Sequence, residues 1–367
     1  MIPEKLYFTL YINVILLLTL WYTISSKKET AKEIIRSNDS IIPAAFFCFI
    51  LIIFIGTRPI SYKFGDTPMY AHMYNVIGDL NGADLSQLSE GGFKWLMATC
   101  RPFLDTTGFF LVVAAGYIGF MFWACKQLMP NNVLVGVLFN LASFSFYTYG
   151  TNGIRNGLAC SMVMLGIALM TGNKKERMAG IAVNVAACTI HTSVSLPTMM
   201  AIASFYIIKK FKTAYTFWIL SIIISLILGN TIANIFASLG FDDRMSGYLN
   251  NQDAMDQFSS TGFRWDFLLY SAMPIVLGYY IIIKRGIRNR TYEFLLNTYI
   301  LSNAFWVMVI RAAFSNRFAY LSWFLYPIVL AYPLLRLPIW KDEQGKYLKQ
   351  IMIANIGFTY IMWLLGK

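Results

Sequence analysis

The chain has 367 residues, of which 57% are hydrophobic and 13% charged, with a mean hydropathy of +0.56 and a formal net charge of +12. Soluble domains carry about 25% charged residues, so this composition excludes an ordinary soluble protein. The sequence pI of about 9.4 does not indicate nucleic-acid binding. The excess basic residues lie in short loops between apolar segments, where they orient a membrane protein and contact anionic headgroups.

Twelve apolar segments follow one another along the chain. A helix needs about 20 apolar residues to cross a bilayer. The segments lie at 6–24, 41–56, 107–124, 132–149, 153–171, 178–190, 193–208, 214–239, 266–283, 293–310, 317–334 and 349–365. They leave no room for a separate soluble domain. The sequence therefore predicts an all-α, polytopic integral membrane protein with about 12 transmembrane helices, in which residues 1–367 form one membrane domain.

Basic residues mark alternate loops between these segments. The loops at 26–36, 173–177, 209–212, 284–290 and 336–349, with the one around Lys126, hold 19 of the 30 Lys and Arg. The side of the membrane on which they lie carries 7 of the 18 Asp and Glu. The other side of the membrane then carries 11 of each and no net charge. Short loops rich in Lys and Arg stay in the cytoplasm. Both termini and the two long loops are therefore expected outside.

The long external loops are expected to cover an active-site cavity. They run over 58–106 and 240–265, and long ordered loops are uncommon unless they are functional. In the first, Asp66, Tyr70 and Tyr74 share one helical face, and Thr67-Pro68 marks a helix start with Asp66 or Thr67 as its cap. A second short helix is predicted over 91–100, and both are expected to lie flat on the membrane surface.

His191 falls between two apolar segments that are only a few residues apart. One long span through 178–208 would place this histidine inside the membrane. It would also move the basic loops at 209–212 and 284–290 outside, against the charge rule. We therefore predict two spans joined by a tight external turn at His191.

Five arginines on the external side are not needed to set topology. An arginine at the end of a span faces a cavity or snorkels to lipid headgroups. A cluster of guanidinium groups matches the oxygens of a diphosphate, so the sequence predicts a diphosphate site. The five are Arg58, Arg155, Arg244, Arg311 and Arg317. Asp243 directly precedes Arg244 and is placed to hold it.

His191 and Asp66 are the candidate catalytic residues. An imidazole or a carboxylate can take the proton of a sugar hydroxyl. The alternatives are a hydrogen-bonded structural histidine and a helix-capping aspartate. His72 is interpreted as a surface residue. The chain contains no DxD, no HExxH and no nucleotide-binding glycine motif, so no metal and no cofactor is predicted.

Aromatic residues interleave with polar ones in the segment 143–157. They fit either an aromatic belt at the membrane edge or a platform on which sugars stack. The predicted substrate contacts are Tyr70, Tyr74, Tyr149, Asn156, Asp243, Tyr248 and Tyr320.

Seven short motifs occur in an order that resembles EpsG-like, Wzy-type polysaccharide polymerases. They are GTR (56–58), GDTxxYxxxY (65–74), GGFxxL (91–96), GIRNGLA (153–159), HTSxxxP (191–197), RMSGY (244–248) and NRFAYLxxxxxP (316–327). One departure is Asn156, where the family often has Gln. The resemblance implies a membrane glycosyltransferase of the GT-C-like type in the bacterial cytoplasmic (inner) membrane, with its active site facing the periplasm or exterior.

That resemblance also implies the substrates. The enzyme would join repeat units carried on undecaprenyl diphosphate, as both donor and acceptor, to make O-antigen, lipopolysaccharide or exopolysaccharide chains. A chain-length co-polymerase and a flippase are possible partners, besides the lipid bilayer. Two other functions stay open. A flippase for lipid-linked oligosaccharide also needs external arginines, although it should show paired halves, and an O-antigen ligase uses the same donor.

Overall fold

The computed structural model describes residues 2–77, 91–238, 263–311 and 316–366, without the side chains of 230 and 232–238. Asp243, Arg244 and Tyr248 lie outside this part of the chain. The described residues form helices and turns and no strand. The helices are α1 Tyr7–Ser25, α2 Ala31–Ile35, α3 Ile42–Gly56, α4 Thr67–Val76, α5 Gly91–Cys100, α6 Thr106–Leu128, α7 Val133–Leu141, α8 Phe146–Thr151, α9 Ile154–Met170, α10 Lys174–Ile190, α11 Ser195–Tyr206, α12 Phe211–Ser238, α13 Trp265–Tyr279, α14 Arg290–Met308, α15 Asn316–Trp323, α16 Tyr326–Arg336 and α17 Gln344–Leu364.

Each of the twelve predicted segments contains helix. The all-helical prediction is therefore confirmed for the described residues, and the helices are consistent with a membrane protein. In the described residues, five helical stretches are long and apolar enough to cross a membrane, and two apolar helices, α3 and α9, are shorter. The number of spans stays a prediction. The predicted helices after Asp66 and over 91–100 are confirmed as α4 and α5. The predicted break at His191 is also present, because α10 ends at Ile190 and α11 starts at Ser195.

Contacts between residues divide the chain into two compact units. Unit 1 comprises Met1–Val194 and Ala331–Lys367, and unit 2 comprises Ser195–Leu330. The chain returns from unit 2 to unit 1 within α16.

The fourth predicted segment is broken, which the sequence did not predict. Helix α7 ends at Leu141 and α8 begins at Phe146. In a membrane, such a break is stable only where other groups satisfy the freed backbone. In unit 1, Tyr11 Oη of α1 donates to Leu141 O (2.5 Å), and Asn355 and Thr359 of α17 donate to Phe139 O (3.0 Å) and Ala142 O (2.7 Å).

Glycine allows close packing of α9 against α10 in unit 1. A Cβ on Gly180 would lie 2.4 Å from Gly166 O and 3.0 Å from Met170 N, and one on Gly166 would lie 2.0 Å from Asn184 Oδ1. These contacts run in opposite directions along the two helices, so the helices are antiparallel. The start of α9 therefore lies at the same end of unit 1 as the end of α10.

The centre of unit 2 is helix α14, which is buried along most of its length. Its Asn303 accepts a hydrogen bond from Trp218 Nε1 (2.8 Å) and donates to Ser322 Oγ (3.0 Å). Buried polar groups need such partners in a membrane interior. These bonds link α12, α14 and α15 into one packed group.

The α9–α10 contact gives a stability prediction. Gly180→Ala should lower the free energy of unfolding by about 1–3 kcal/mol, because the added methyl group overpacks against backbone atoms. The control is Gly119→Ala on α6, where a Cβ meets no atom within 4 Å. Thermal unfolding in detergent should show a lower midpoint for Gly180→Ala only. Equal midpoints for the two variants would contradict this packing.

Candidate functional site

Arg58 connects three segments of unit 1, one of which is 93 residues away in the sequence. Its Nη1 donates to Ile55 O (2.8 Å), and its Nη2 donates to Thr67 Oγ1 (3.1 Å) and Thr151 O (2.9 Å). Thr67 Oγ1 also donates toward Thr151 O (3.0 Å). The end of α3, the start of α4 and the end of α8 therefore meet at one guanidinium group.

The Arg58 side chain is buried, with 4% of the residue exposed. Burial lowers the pKa of its guanidinium to about 10, so it remains charged at neutral pH. The ring of Phe110 lies 4.9 Å from the guanidinium carbon, close enough for a cation–π contact. These contacts support a structural role for Arg58, in place of the diphosphate binding that the sequence predicts.

Asp66 lies beside this junction, on the turn before α4. Gly65 has φ +60°, and a side chain there would collide with Asn152. The Asp66 N–H donates to Asn152 Oδ1 (2.9 Å). Asp66 occupies the N-cap position of α4, but its side chain makes no capping hydrogen bond. Within the described part of the chain, its carboxylate has no hydrogen-bond or ion-pair partner, so it is available for another group.

Arg155 and Asn156 are the second and third residues of α9, and both are partly exposed. Asn156 Oδ1 accepts a contact from Cys160 Sγ (3.2 Å). One residue later, a side chain on Gly157 would lie 2.5 Å from Tyr149 O. The glycine lets α8 approach the first turn of α9 closely. This close approach fixes the position of the Arg155 backbone relative to α8.

His191 ends α10, with its backbone N–H donating to Ala187 O (3.0 Å) and its own carbonyl accepting from Val194 N (3.2 Å). It is partly exposed. The turn that follows it contacts α9. Helix α5 also reaches this end of α10, because Gly92 approaches Thr189 so closely that a Cβ would lie 2.3 Å from its Oγ1.

Asp66, Arg155 and His191 therefore lie at the same end of unit 1. Asp66 is joined to Asn152 just before α9, Arg155 is in the first turn of α9, and His191 ends the helix that runs antiparallel to α9. This end holds a carboxylate, a guanidinium group and an imidazole. These groups can accept a proton and bind an anion.

Three tyrosines that the sequence predicts as sugar contacts are buried in the structure. Tyr70, Tyr74 and Tyr149 are 4%, 0% and 3% exposed. Tyr74 stacks on Phe109 (4.5 Å between ring centroids) and donates to Leu104 O (2.8 Å). A ring covered on its faces has no surface for a sugar to stack on. Burial also raises the pKa of Tyr74, as expected for a packed phenol.

Unit 2 holds Arg311, Arg317 and Tyr320. Arg311 follows the end of α14 and Arg317 is the second residue of α15, and these two helices contact each other. Arg311 lies against Gly229 of α12, where a Cβ would be 2.7 Å from its Cδ, and its guanidinium carbon is 5.9 Å from the Phe263 ring centroid. Tyr320 is partly exposed beside Trp323 (5.6 Å between ring centroids).

Sequence reasoning missed the residues that connect the site. Asn152 and Thr151 carry no catalytic signature, and their only signal is a polar pair before the Gly153 helix start. Arg264 was also missed, and it forms a two-point ion pair with Asp266 (3.0 and 2.8 Å). In the part of the chain that is described, no group of three or more His, Cys, Asp and Glu could hold a metal ion.

A family model covers residues 41–367, which include all seven motifs. The chain belongs to the EpsG family. This match confirms the resemblance drawn from the motif order, and it indicates a membrane protein of the polysaccharide-polymerase, glycosyltransferase-like type. No curated protein and no solved structure matches the chain.

The Arg58 contacts predict that this EpsG-family protein depends on Arg58 for folding. Arg58→Met should lower the free energy of unfolding by about 3 kcal/mol or more, because three acceptors lose a charged donor. Arg155→Met, at a partly exposed position, should cost less than about 1 kcal/mol. Thermal unfolding in detergent compares the two variants. A larger loss for Arg155→Met would contradict the structural role given to Arg58.

Proposed function

We propose that this protein is a polysaccharide polymerase that joins undecaprenyl-diphosphate-linked repeat units on the outer face of the bacterial cytoplasmic membrane. The donor is a growing glycan on undecaprenyl diphosphate, and the acceptor is one repeat unit on a second undecaprenyl diphosphate. The transfer needs no metal ion. Family membership supports the general activity. The grouping of Asp66, Arg155 and His191 at one end of unit 1 is the observation that carries the site.

In the proposed reaction, the hydroxyl at the non-reducing end of the acceptor attacks the anomeric carbon of the donor sugar. The new glycosidic C–O bond forms as the C–O bond to the diphosphate breaks, so undecaprenyl diphosphate leaves with the bonding electrons. Asp66 or His191 takes the hydroxyl proton. Two properties favour Asp66 as an acceptor, because its carboxylate has no partner among the described residues and its backbone is held by Asn152.

Arginines at the predicted outer ends of each unit are proposed to bind diphosphate. In unit 1 this residue is Arg155, and in unit 2 they are Arg311 and Arg317. Arg244 keeps this role as a prediction from the sequence, as do Asp243 and Tyr248 for substrate contacts. A preorganised donor at a developing anion contributes about 3–4 kcal/mol. Fixed guanidinium groups then supply the charge stabilisation that a metal ion provides in other glycosyltransferases.

Reconstitution tests the activity directly. Purified protein is mixed with synthetic undecaprenyl-diphosphate repeat units, with and without a chelator. A ladder of longer glycans that persists with chelator is expected. Transport of intact repeat units across vesicles without elongation would favour a flippase. Transfer to lipid A core without a ladder would favour a ligase.

Single substitutions test the residues. Arg155→Ala, Arg311→Ala and Arg317→Ala should each lower the polymerisation rate by about 100-fold or more. At least one of Asp66→Asn and His191→Ala should lower it by about 100-fold or more, because one of these residues is the base. Arg36→Ala is the matched control, since Arg36 is exposed in a basic loop of the predicted cytoplasmic side. It should retain wild-type activity. Normal rates from Asp66→Asn and His191→Ala together would reject the proposed base.

A further inference from the structure

A cavity of about 660 Å³ lies at the opposite end of unit 1 from His191, on the side predicted to be cytoplasmic. Its lining comes from the end of α1, the loop and short helix after it, the start of α3, and Leu134 of α7. No role in the proposed reaction uses this cavity.

The cavity is lined by the end of α1 and the start of α3. At their opposite ends these two helices touch, with Tyr7 stacked on Phe54 (4.9 Å between ring centroids). Both helices also contact α7. Trp21 of α1, Pro43 of α3 and Leu134 of α7 are among the lining residues.

The acidic groups of the cavity are already satisfied by the protein. Lys28 Nζ contacts both oxygens of Asp39 (2.5 Å each) and Ser37 Oγ. Glu33 Oε2 accepts from the N–H groups of Glu29 (2.9 Å) and Thr30 (3.0 Å), which lowers the pKa of its carboxyl and keeps it charged. The Asp39 carboxylate is therefore neutralised by Lys28, whereas Glu33 remains a negatively charged residue of the lining.

Donors remain available in the same lining. Lys27 is exposed at the cavity, and it has no hydrogen-bond or ion-pair partner in the described part of the chain. The Tyr22 hydroxyl is buried, with 7% of the residue exposed, and has no hydrogen bond of acceptable geometry, although the Ser26 side chain is near it. The hydroxyls of Ser25 and Ser26 add two more donors. An ammonium group and several hydroxyls suit the oxygens of a phosphate.

The walls point to a phosphate that is attached to a lipid. Trp21 is 56% exposed beside the cavity, as a residue at the membrane–water boundary would be. The surfaces that lead away from it along α1 and α3 are apolar and exposed, including Leu17 (64%), Ile24 (83%) and Phe46 (58%). Acyl chains can lie on these surfaces while the headgroup fills the cavity.

We propose that this cavity binds the phosphate headgroup of an anionic phospholipid from the cytoplasmic leaflet. Lys27 contacts the phosphate, the Tyr22 and serine hydroxyls donate to it, and Trp21 packs on the upper acyl chains. The site is separate from the proposed polymerase site, and it stands whether or not the chain polymerises glycans.

Native mass spectrometry of the full-length protein in detergent tests this site with phosphatidylglycerol as the probe. Lys27→Gln should weaken phosphatidylglycerol binding by about fivefold, the effect of one lysine near an anionic surface. Tyr22→Phe, which removes only the hydroxyl, should weaken it by about threefold. Lys175→Gln is the matched control, because Lys175 is an exposed lysine of another predicted cytoplasmic loop and does not line the cavity.

Two further ligands separate a lipid site from a site for free phosphate or for any lipid. Glycerol 3-phosphate should compete at least about tenfold more weakly than phosphatidylglycerol, because it lacks acyl chains. Diacylglycerol with the same chains lacks the phosphate. It should therefore bind the wild-type protein no better than it binds Lys27→Gln. Equal competition by glycerol 3-phosphate, or equal losses for Lys27→Gln and Lys175→Gln, would overturn the proposal, as would unchanged binding in Lys27→Gln.

Discussion

The cost of placing charges and unpaired backbone groups in hydrocarbon constrains every part of this protein. It underlies the prediction that the basic loops share one side of the membrane, and it favours a helix for each segment that crosses the bilayer. Arg58 shows the same constraint at one residue. Its buried guanidinium donates hydrogen bonds to Ile55 O, Thr67 Oγ1 and Thr151 O, and Phe110 packs beside it. A charge satisfied in this way becomes a link between segments.

The link at Arg58 explains how the residues before α4 are positioned. The residues before α4 are fixed on Thr151 and Asn152, which directly precede α9. The same attachment leaves the Asp66 carboxylate without a capping role. A short polar pair at a helix start thus determines where a candidate base lies relative to the helix that carries Arg155. The broken segment between α7 and α8 is held in a similar way, by side chains of α1 and α17.

Much of this architecture can be predicted from the sequence, because apolar length and the charge of short loops act locally. They predicted the helices, the start of α4 at Thr67-Pro68 and the helix end beside His191. The remaining features depend on contacts between residues that are distant in the sequence, which a local pattern does not show. The break after Leu141 depends on Tyr11, Asn355 and Thr359, which are distant in sequence. The burial of Tyr70 and Tyr74, and the structural use of Arg58, depend equally on which helices pack together.

The central claim is that the end of unit 1 with His191 faces outward and the basic loops face the cytoplasm. Cysteine labelling in intact cells tests it most directly, with the five native cysteines replaced. Thr192→Cys, at an exposed position beside His191, and Lys175→Cys, in the basic loop before α10, provide the two single sites. A membrane-impermeant maleimide should label Thr192→Cys in intact cells and Lys175→Cys only after permeabilisation. The reverse pattern would contradict the account.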